Sequence, residues 1–273
     1  MAAAKVGSTF GKYQLKRLLG QGGMGDVYEA HDTTKDRTVA LKVLRDRRSL
    51  APLERAMAVR HPNLVRILAT GTDPAGAYVV MEALEGTTLR DVLARRGPLD
   101  LPTALAVLLP VLDALHAAHG LSVTHGDLKP ENVFLEQLDG GGARIKVLDL
   151  GGLPPGPNGE VVFGSAAYLS PEQAAGDVLD ARSDVFGAAL LLFELVTGRR
   201  PFEAAGPVAT AYKIVHEPTP RVDDPRLQPA LDIALAKSPA DRFPTAAAFA
   251  DALAPLAPDA AVSASALSVL ARP

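Results

Sequence analysis

The sequence predicts an α+β chain in two parts, a small antiparallel sheet followed by a larger helical unit. Three observations carry this expectation. Short strand-like runs joined by tight turns crowd the first 85 residues; helical spacing dominates from Leu89 onward; and the polar residues with chemical capacity gather near the change from one pattern to the other.

Tyr13–Leu19 alternates polar and apolar residues, glycines intervene, and Asp26–His31 alternates again. A turn at Thr33–Arg37 leads into Thr38–Leu44, so three strands in a meander are expected. Arg45–Arg60 is the single helix candidate before His61-Pro62-Asn63, and two further strand-like runs follow at Leu64–Thr70 and Ala77–Glu82. After Glu85-Gly86 the period lengthens. Leu89–Arg96 and Leu101–His119 read as helices, the second with a kink expected at Pro110. Arg144–Leu150 reads as a strand. Asp184–Thr197, Pro207–His216, Leu227–Lys237 and Thr245–Leu256 read as helices. The expected organisation is a sheet lobe over residues 1–85, a helical lobe over 86–256, and a flexible tail rich in Ala, Ser and Pro over 257–273.

Composition narrows the function classes. With 273 residues, 48% hydrophobic and 22% charged, the chain can bury a large core. A net charge of -3 gives no global attraction to nucleic acid or to an anionic membrane, so charge for binding phosphate must be local. There is no cysteine, which excludes disulfides, thiol catalysis and cysteine–zinc sites. The apolar runs Leu101–Leu112 and Val185–Phe193 fall short of the roughly 20 residues that span a bilayer. No signal-like apolar segment opens the chain, and a cytoplasmic protein is expected. The oligomeric state is not legible.

The stretch His125-Gly126-Asp127-Leu128-Lys129-Pro130-Glu131-Asn132 carries the strongest chemistry. Asp127 can accept a proton, Lys129 can hold a phosphoryl oxygen and Asn132 can ligate a hard cation. Gly20-Gln21-Gly22-Gly23-Met24-Gly25 lies between two strand-like runs, where glycines bring backbone N–H groups close to phosphates; the plain alternative is a glycine-rich hairpin. A dinucleotide-binding version would need a helix after the glycines, and Asp26–Ala30 alternates like a strand instead. Lys42 follows Val39-Ala40-Leu41, and an ammonium on a half-buried strand is costly unless it meets an anion. Asp149 ends an apolar run before Gly151-Gly152; with Asn132 it offers two hard oxygen ligands suited to magnesium.

These motifs, in this order, resemble a eukaryotic-type (Hanks-type) Ser/Thr protein kinase of the bacterial kind over residues 10–255. His61-Pro62-Asn63, Asp149-Leu150-Gly151, Ser170-Pro171-Glu172, Ser183-Asp184-Val185 and Arg242 also match. The resemblance implies a two-lobed protein-kinase-like fold with ATP in its cleft and transfer of the γ-phosphoryl group to Ser or Thr of protein substrates. Gly20, Gly22 and Gly25 would cover the phosphates. Val27 and Ala40 would enclose the adenine, with Met81 behind it and the backbone of Glu82–Leu84 along its edge. Lys42 would hold phosphates, Asn132 and Asp149 would bind magnesium, and Asp127 and Lys129 would serve the transfer. Arg242 would pair with Glu172, and Asp184 would brace the catalytic loop.

The chain departs from the family in two places. Gly126 replaces an arginine that in many relatives pairs with a phosphate on the activation segment, and here that segment has no Ser, Thr or Tyr between Asp149 and Ser165. Both losses together point to a kinase without activation-segment phosphorylation control, with Ser165 a structural hydroxyl. The stretch between Lys42 and His61 is also short. It puts Pro52 where relatives have the glutamate that pairs with the lysine and leaves Glu54 as the nearest candidate, on a shortened helix. The alternative function is therefore a pseudokinase that binds nucleotide or acts as a scaffold. A small-molecule phosphotransferase is disfavoured by Glu172, Asp184 and Arg242.

Overall fold

The alternation between Thr9 and Glu82 forms a six-stranded antiparallel sheet in the computed structural model, which describes residues 5–45, 50–74, 76–151 and 166–272. The strands are β1 (Thr9–Phe10), β2 (Tyr13–Gly22), β3 (Gly25–Asp32), β4 (Arg37–Leu44), β5 (Ile67–Asp73) and β6 (Gly76–Glu82), in the order β1-β2-β3-β4-β6-β5. Strand period two sorts the side chains. Tyr28, Ala30, Val39, Leu41 and Val80 join Phe10, Tyr13 and Leu15 in one apolar cluster. The opposite face carries Val27 beside Lys42 and Val79, and Ala40 beside Met81. Among the described residues of the Arg45–Arg60 helix candidate, Ala51–Ala56 form α1, with Pro52 in its first turn and Leu53 and Ala56 buried; residues 46–49 lie outside the described residues.

This sheet and α1 belong to a unit made of residues 1–60 and 65–84; residues 61–64 and 85–273 form a second unit. His61-Pro62-Asn63 thus folds with the helices, not with the sheet it follows in sequence. The cause is pairing: Asn63 Nδ2 donates to Ile145 O at 2.8 Å, Val147 N–H donates to Asn63 O at 2.7 Å, and His61 Nε2 lies 3.1 Å from Asp113.

The second unit is built on two nearly all-apolar helices. In α3 (Leu101–His119) and α5 (Ala181–Thr197), residues such as Leu105, Leu108, Leu112, Val185, Leu190 and Leu192 have no exposed surface. Asp100 caps α3 by accepting from Thr103 N–H, and Pro102 sits in the first turn, where it removes no bond. α3 is long and apolar enough to cross a membrane, further than the run Leu101–Leu112 suggested, but 61% of it is buried inside the protein, as a core helix would be. A three-stranded antiparallel sheet, β7 (Gly86–Thr88), β8 (Val133–Gln137) and β9 (Ala143–Val147), holds the segment around the stretch His125–Asn132. β8 was not evident from the sequence, because its five residues gain strand character only from pairing on both sides. The remaining helices are α2 (Leu89–Arg96), α4 (Pro171–Ala175), α6 (Pro207–His216), α7 (Gln228–Ala234) and α8 (Ala246–Leu253).

The tail expected to be flexible is instead helical. α9 (Ala260–Leu270) is capped by Asp259 and buries Leu267 and Leu270. Its last carbonyls are also taken: Arg96 Nη2 donates to Val269 O at 2.8 Å and Gln137 Nε2 donates to Ala271 O at 2.7 Å. Alanine is the best helix former, so the composition that suggested a linker also suits a helix once a docking surface exists.

One buried ion pair ties α4 to the end of the unit. Arg242 donates from Nη1 and Nη2 to the two oxygens of Glu172, both at 2.8 Å, and gives its other donors to Ala236 O, Arg182 O and Lys237 O. All five of its N–H groups are satisfied, and the guanidinium lies over the Phe186 ring. Burial alone would raise the Glu172 carboxyl, but hydrogen bonds from Arg242 and Ser183 outweigh it and hold it below the ordinary value. Its stabilisation is therefore complete above the ordinary carboxyl range, about pH 4.3, and is lost as pH falls through the lowered folded value. Glu172→Gln should cost about 3 kcal/mol in urea unfolding at neutral pH and flatten the acid limb of stability against pH. Removing residues 258–273 should cost a similar amount, about 3 kcal/mol, read in the same assay.

Candidate active site

In the helical unit the stretch His125–Asn132 is held from below by one carboxylate. Asp184, in the first turn of α5, is buried, and its Oδ2 accepts from His125 N–H while Oδ1 accepts from Gly126 N–H, both at 2.8 Å. His119 Nε2, at the end of α3, lies 2.7 Å from the same Oδ2. An unpaired buried carboxylate would be very costly, so these donors fix the loop on the helix.

His125 carries the fixation onward. Its Nδ1 accepts from Asp127 N–H at 3.2 Å, which leaves Nε2 as the protonated nitrogen, donating to Leu148 O at 2.8 Å. Leu148 N–H in turn donates to Asn132 O at 2.8 Å. Both ends of the stretch therefore grip Leu148, the residue before Asp149. Asp149 adopts a left-handed backbone with φ 56°, a conformation that Asp tolerates better than most residues, and Leu150 after it is buried. Leu150 is an apolar anchor for this turn.

Between these ends the chemistry-bearing groups meet. Lys129 Nζ lies 2.6 Å from Asp127 Oδ2. Asn132 Nδ2 donates to Asp127 O at 2.7 Å and to Asp127 Oδ2 at 3.2 Å. Using Nδ2 in this way orients the side chain and leaves Oδ1 as its acceptor, the atom a hard cation requires. Asp127, Lys129 and Asn132, expected to act together, are thus brought together, and Asp149 is positioned through Leu148.

The sheet unit holds the other expected residues. Lys42 is 9% exposed and shares its face with Val27, Ala40 and Met81. Glu82 is the last residue of β6, and its N–H is taken by Arg66 O. Ala83, exposed, and Leu84, half-buried, follow outside the ladder. The glycines divide into two kinds. A Cβ on Gly25 would lie 2.1 Å from Val43 O, so that glycine is required by the close approach of β4. A Cβ on Gly20 would meet nothing within 4 Å, and on Gly22 only Gly25 O at 3.7 Å. The fold itself gives no steric reason for those two. Glu54 does not take the role raised for it: it is exposed in the first turn of α1, and among the described residues its carboxylate has no partner. Ser165 and the Gly/Pro-rich residues 152–164 lie outside the described residues.

A family model described as the protein kinase domain matches residues 13–253. The chain belongs to the protein kinase family. It is similar to serine/threonine-protein kinase pkn3 of Myxococcus xanthus, 39% identical over 89% of this chain and 50% of that protein. It is also similar to serine/threonine-protein kinase PksC of Streptomyces coelicolor, 39% identical over 88% of this chain and 48% of that protein. Against serine/threonine-protein kinase PknB of Mycobacterium tuberculosis the identity is 37% over 86% of this chain and 41% of that protein. The chain spans half or less of the length of these curated relatives.

Within this protein kinase domain, Gly126 acquires a physical reason that its sequence position does not show. Its φ is +71°, in the left-handed region where a side chain is strained. Glycine therefore relaxes the backbone immediately before Asp127.

A second polar cluster escaped the sequence reading. Arg90 donates from Nε to Glu131 and from Nη1 to Glu194, both at 2.9 Å, and from Nη2 to the Tyr168 hydroxyl. Tyr168 donates to Glu194 Oε2, and Arg200 approaches both. Burial first, and then the Glu194 carboxylate, push the Tyr168 phenol up, so it stays a donor. The available signal was Glu194, a carboxylate closing the apolar run of α5 where a buried acid needs partners.

Gly126→Ala tests the backbone reading. Its new Cβ would meet only Leu179 Cδ1 at 3.6 Å, an ordinary contact, so the cost is conformational: about 1 kcal/mol in urea unfolding. A Gly126→Ala protein as stable as the parent would contradict the left-handed assignment.

Proposed function

We propose that this domain is an active serine/threonine protein kinase that transfers the γ-phosphoryl group of ATP, with magnesium, to Ser or Thr of protein substrates. The observation that carries the reading is the convergence of Lys129 and Asn132 on the Asp127 carboxylate, with Asp149 tied to the same loop through Leu148. Phosphoryl transfer needs positioning and charge stabilisation more than covalent chemistry, and these groups supply both.

Each residue has a role in this proposal. Asp127 orients the substrate hydroxyl and accepts its proton, while Lys129 stabilises charge on the moving phosphoryl group. Asn132 Oδ1 and the Asp149 carboxylate are hard oxygen donors whose number suits a magnesium ion that takes its other ligands from phosphates and water. Among the described residues no group of three or more His, Cys, Asp or Glu could hold a metal, so a cage built by protein alone is not offered. When bound, magnesium would neutralise charge on the phosphates. In the sheet unit, Lys42 serves the phosphates, Val27, Ala40 and Met81 the base, and Glu82–Leu84 its edge. Gly20 and Gly22, which carry no side chain to stand between them and the phosphates, let the hairpin approach closely, and Gly25 holds the hairpin to β4.

Control by activation-segment phosphorylation is not part of this proposal. The segment offers no hydroxyl between Asp149 and Ser165, and residue 126 has no side chain to receive a phosphate. Phosphate on Ser165 that raises activity would overturn that point.

Asp127→Asn should lower transfer of labelled phosphate to a generic basic protein about 10³-fold while Mg·ATP binding, measured by calorimetry, stays intact. Unchanged transfer would sink the assignment of Asp127. Parent protein that binds Mg·ATP but transfers nothing would mark the domain as a nucleotide-binding module. Chelating the magnesium should stop transfer and weaken ATP binding together, because the cation is held jointly with the phosphates.

A further inference from the structure

Gln173 uses both ends of one side-chain amide. Its Oε1 accepts from Ser170 N–H at 2.8 Å and its own N–H donates to Ser170 Oγ at 3.4 Å, a reciprocal cap on α4. Its Nε2 donates to Gly126 O at 2.6 Å, across 47 residues of sequence. Gly126 N–H is held on the other side by Asp184 Oδ1 at 2.8 Å. The two peptide planes flanking residue 126 are therefore clamped from different helices, α5 before it and α4 after it. The second plane is the one that contains the N–H of Asp127.

A glycine in the left-handed region has no strain to lose and no side chain to anchor it, so its peptide planes are free to turn unless something outside holds them. The residue type at 173 points the same way. In a reciprocal cap the third helical position accepts a backbone N–H, and a glutamate does this as well as a glutamine. Only the second contact needs a donor. An amide in place of an acid at this position is explained by Gly126 O, not by the cap.

We propose that Gln173 is a positioning residue for the Asp127 carboxylate, a neutral link that sets the catalytic loop against the helix that follows the activation segment. It acts through the peptide plane shared by Gly126 and Asp127 and touches no substrate atom. The inference rests on the kinase reading for its catalytic consequence, but not for its structural one.

Gln173→Glu separates the two contacts. The carboxylate keeps the acceptor for Ser170 N–H and loses the donor to Gly126 O; Gln173→Met removes both the donor and the cap's acceptor without adding charge. In Gln173→Glu the unfolding midpoint should fall slightly, kcat should fall about tenfold, and KM for ATP should not change. Hydrogen exchange of the peptide covering residues 123–132 should be about tenfold faster in both variants. Parental kcat together with parental exchange in Gln173→Glu and Gln173→Met would overturn the link. A parent protein without transferase activity would defeat the kinase reading, and the exchange measurement would still decide whether Gln173 holds the loop.

Discussion

Asp184 is a carboxylate with almost no exposed surface, placed at the start of a helix whose other residues are nearly all apolar. Its burial is tolerable only because three donors reach it: the N–H groups of His125 and Gly126 and the His119 ring. That requirement works in both directions. The apolar packing of α5 decides where the carboxylate is, and the carboxylate decides where the loop begins. From there the order propagates through short bonds, from His125 to Leu148 and from Leu148 to Asn132, until Asp149 is placed as well. The polar groups of this loop hold their positions because a hydrophobic helix underneath them cannot move without stripping a buried charge of its partners.

The helical unit repeats this device with different chemistry. Arg242 gives every donor it has to Glu172 and to three carbonyls, and Arg90 bridges Glu131 in the His125–Asn132 stretch to Glu194 in α5. In both cases an arginine fork joins elements far apart in sequence, and the burial of Glu172 and of Glu194 makes those pairs expensive to break. The contact from Gln173 to Gly126 differs in being neutral. A neutral link depends on no phosphate and no protonation step, which suits a loop whose residue 126 has no side chain.

Much of the site was legible because its logic is local. Asp127, Lys129 and Asn132 lie within six consecutive residues, so their spacing alone brings them within reach of one another. The glycine hairpin and the apolar lysine strand were legible for the same reason, since strand period and backbone freedom are properties of short segments. Glu54 was read from spacing along the chain, and spacing did not tell where a helix of only six residues would present it. The tail was read from composition, and composition did not show that Arg96 and Gln137 would meet the last carbonyls of a helix there.

The His125–Asn132 stretch shows where the division falls. The sequence by itself determined which functional groups are present, in what order, and that residue 126 lacks a side chain, because covalent order is all those facts require. The tertiary structure alone decided that residue 126 turns into the left-handed region, that Asp184 and Gln173 hold its two peptide planes, and that β4 passes too close to Gly25 for any side chain there. Those outcomes depend on where α4, α5 and β4 dock. Docking is set by the shared burial of faces distant in sequence, which no local pattern records.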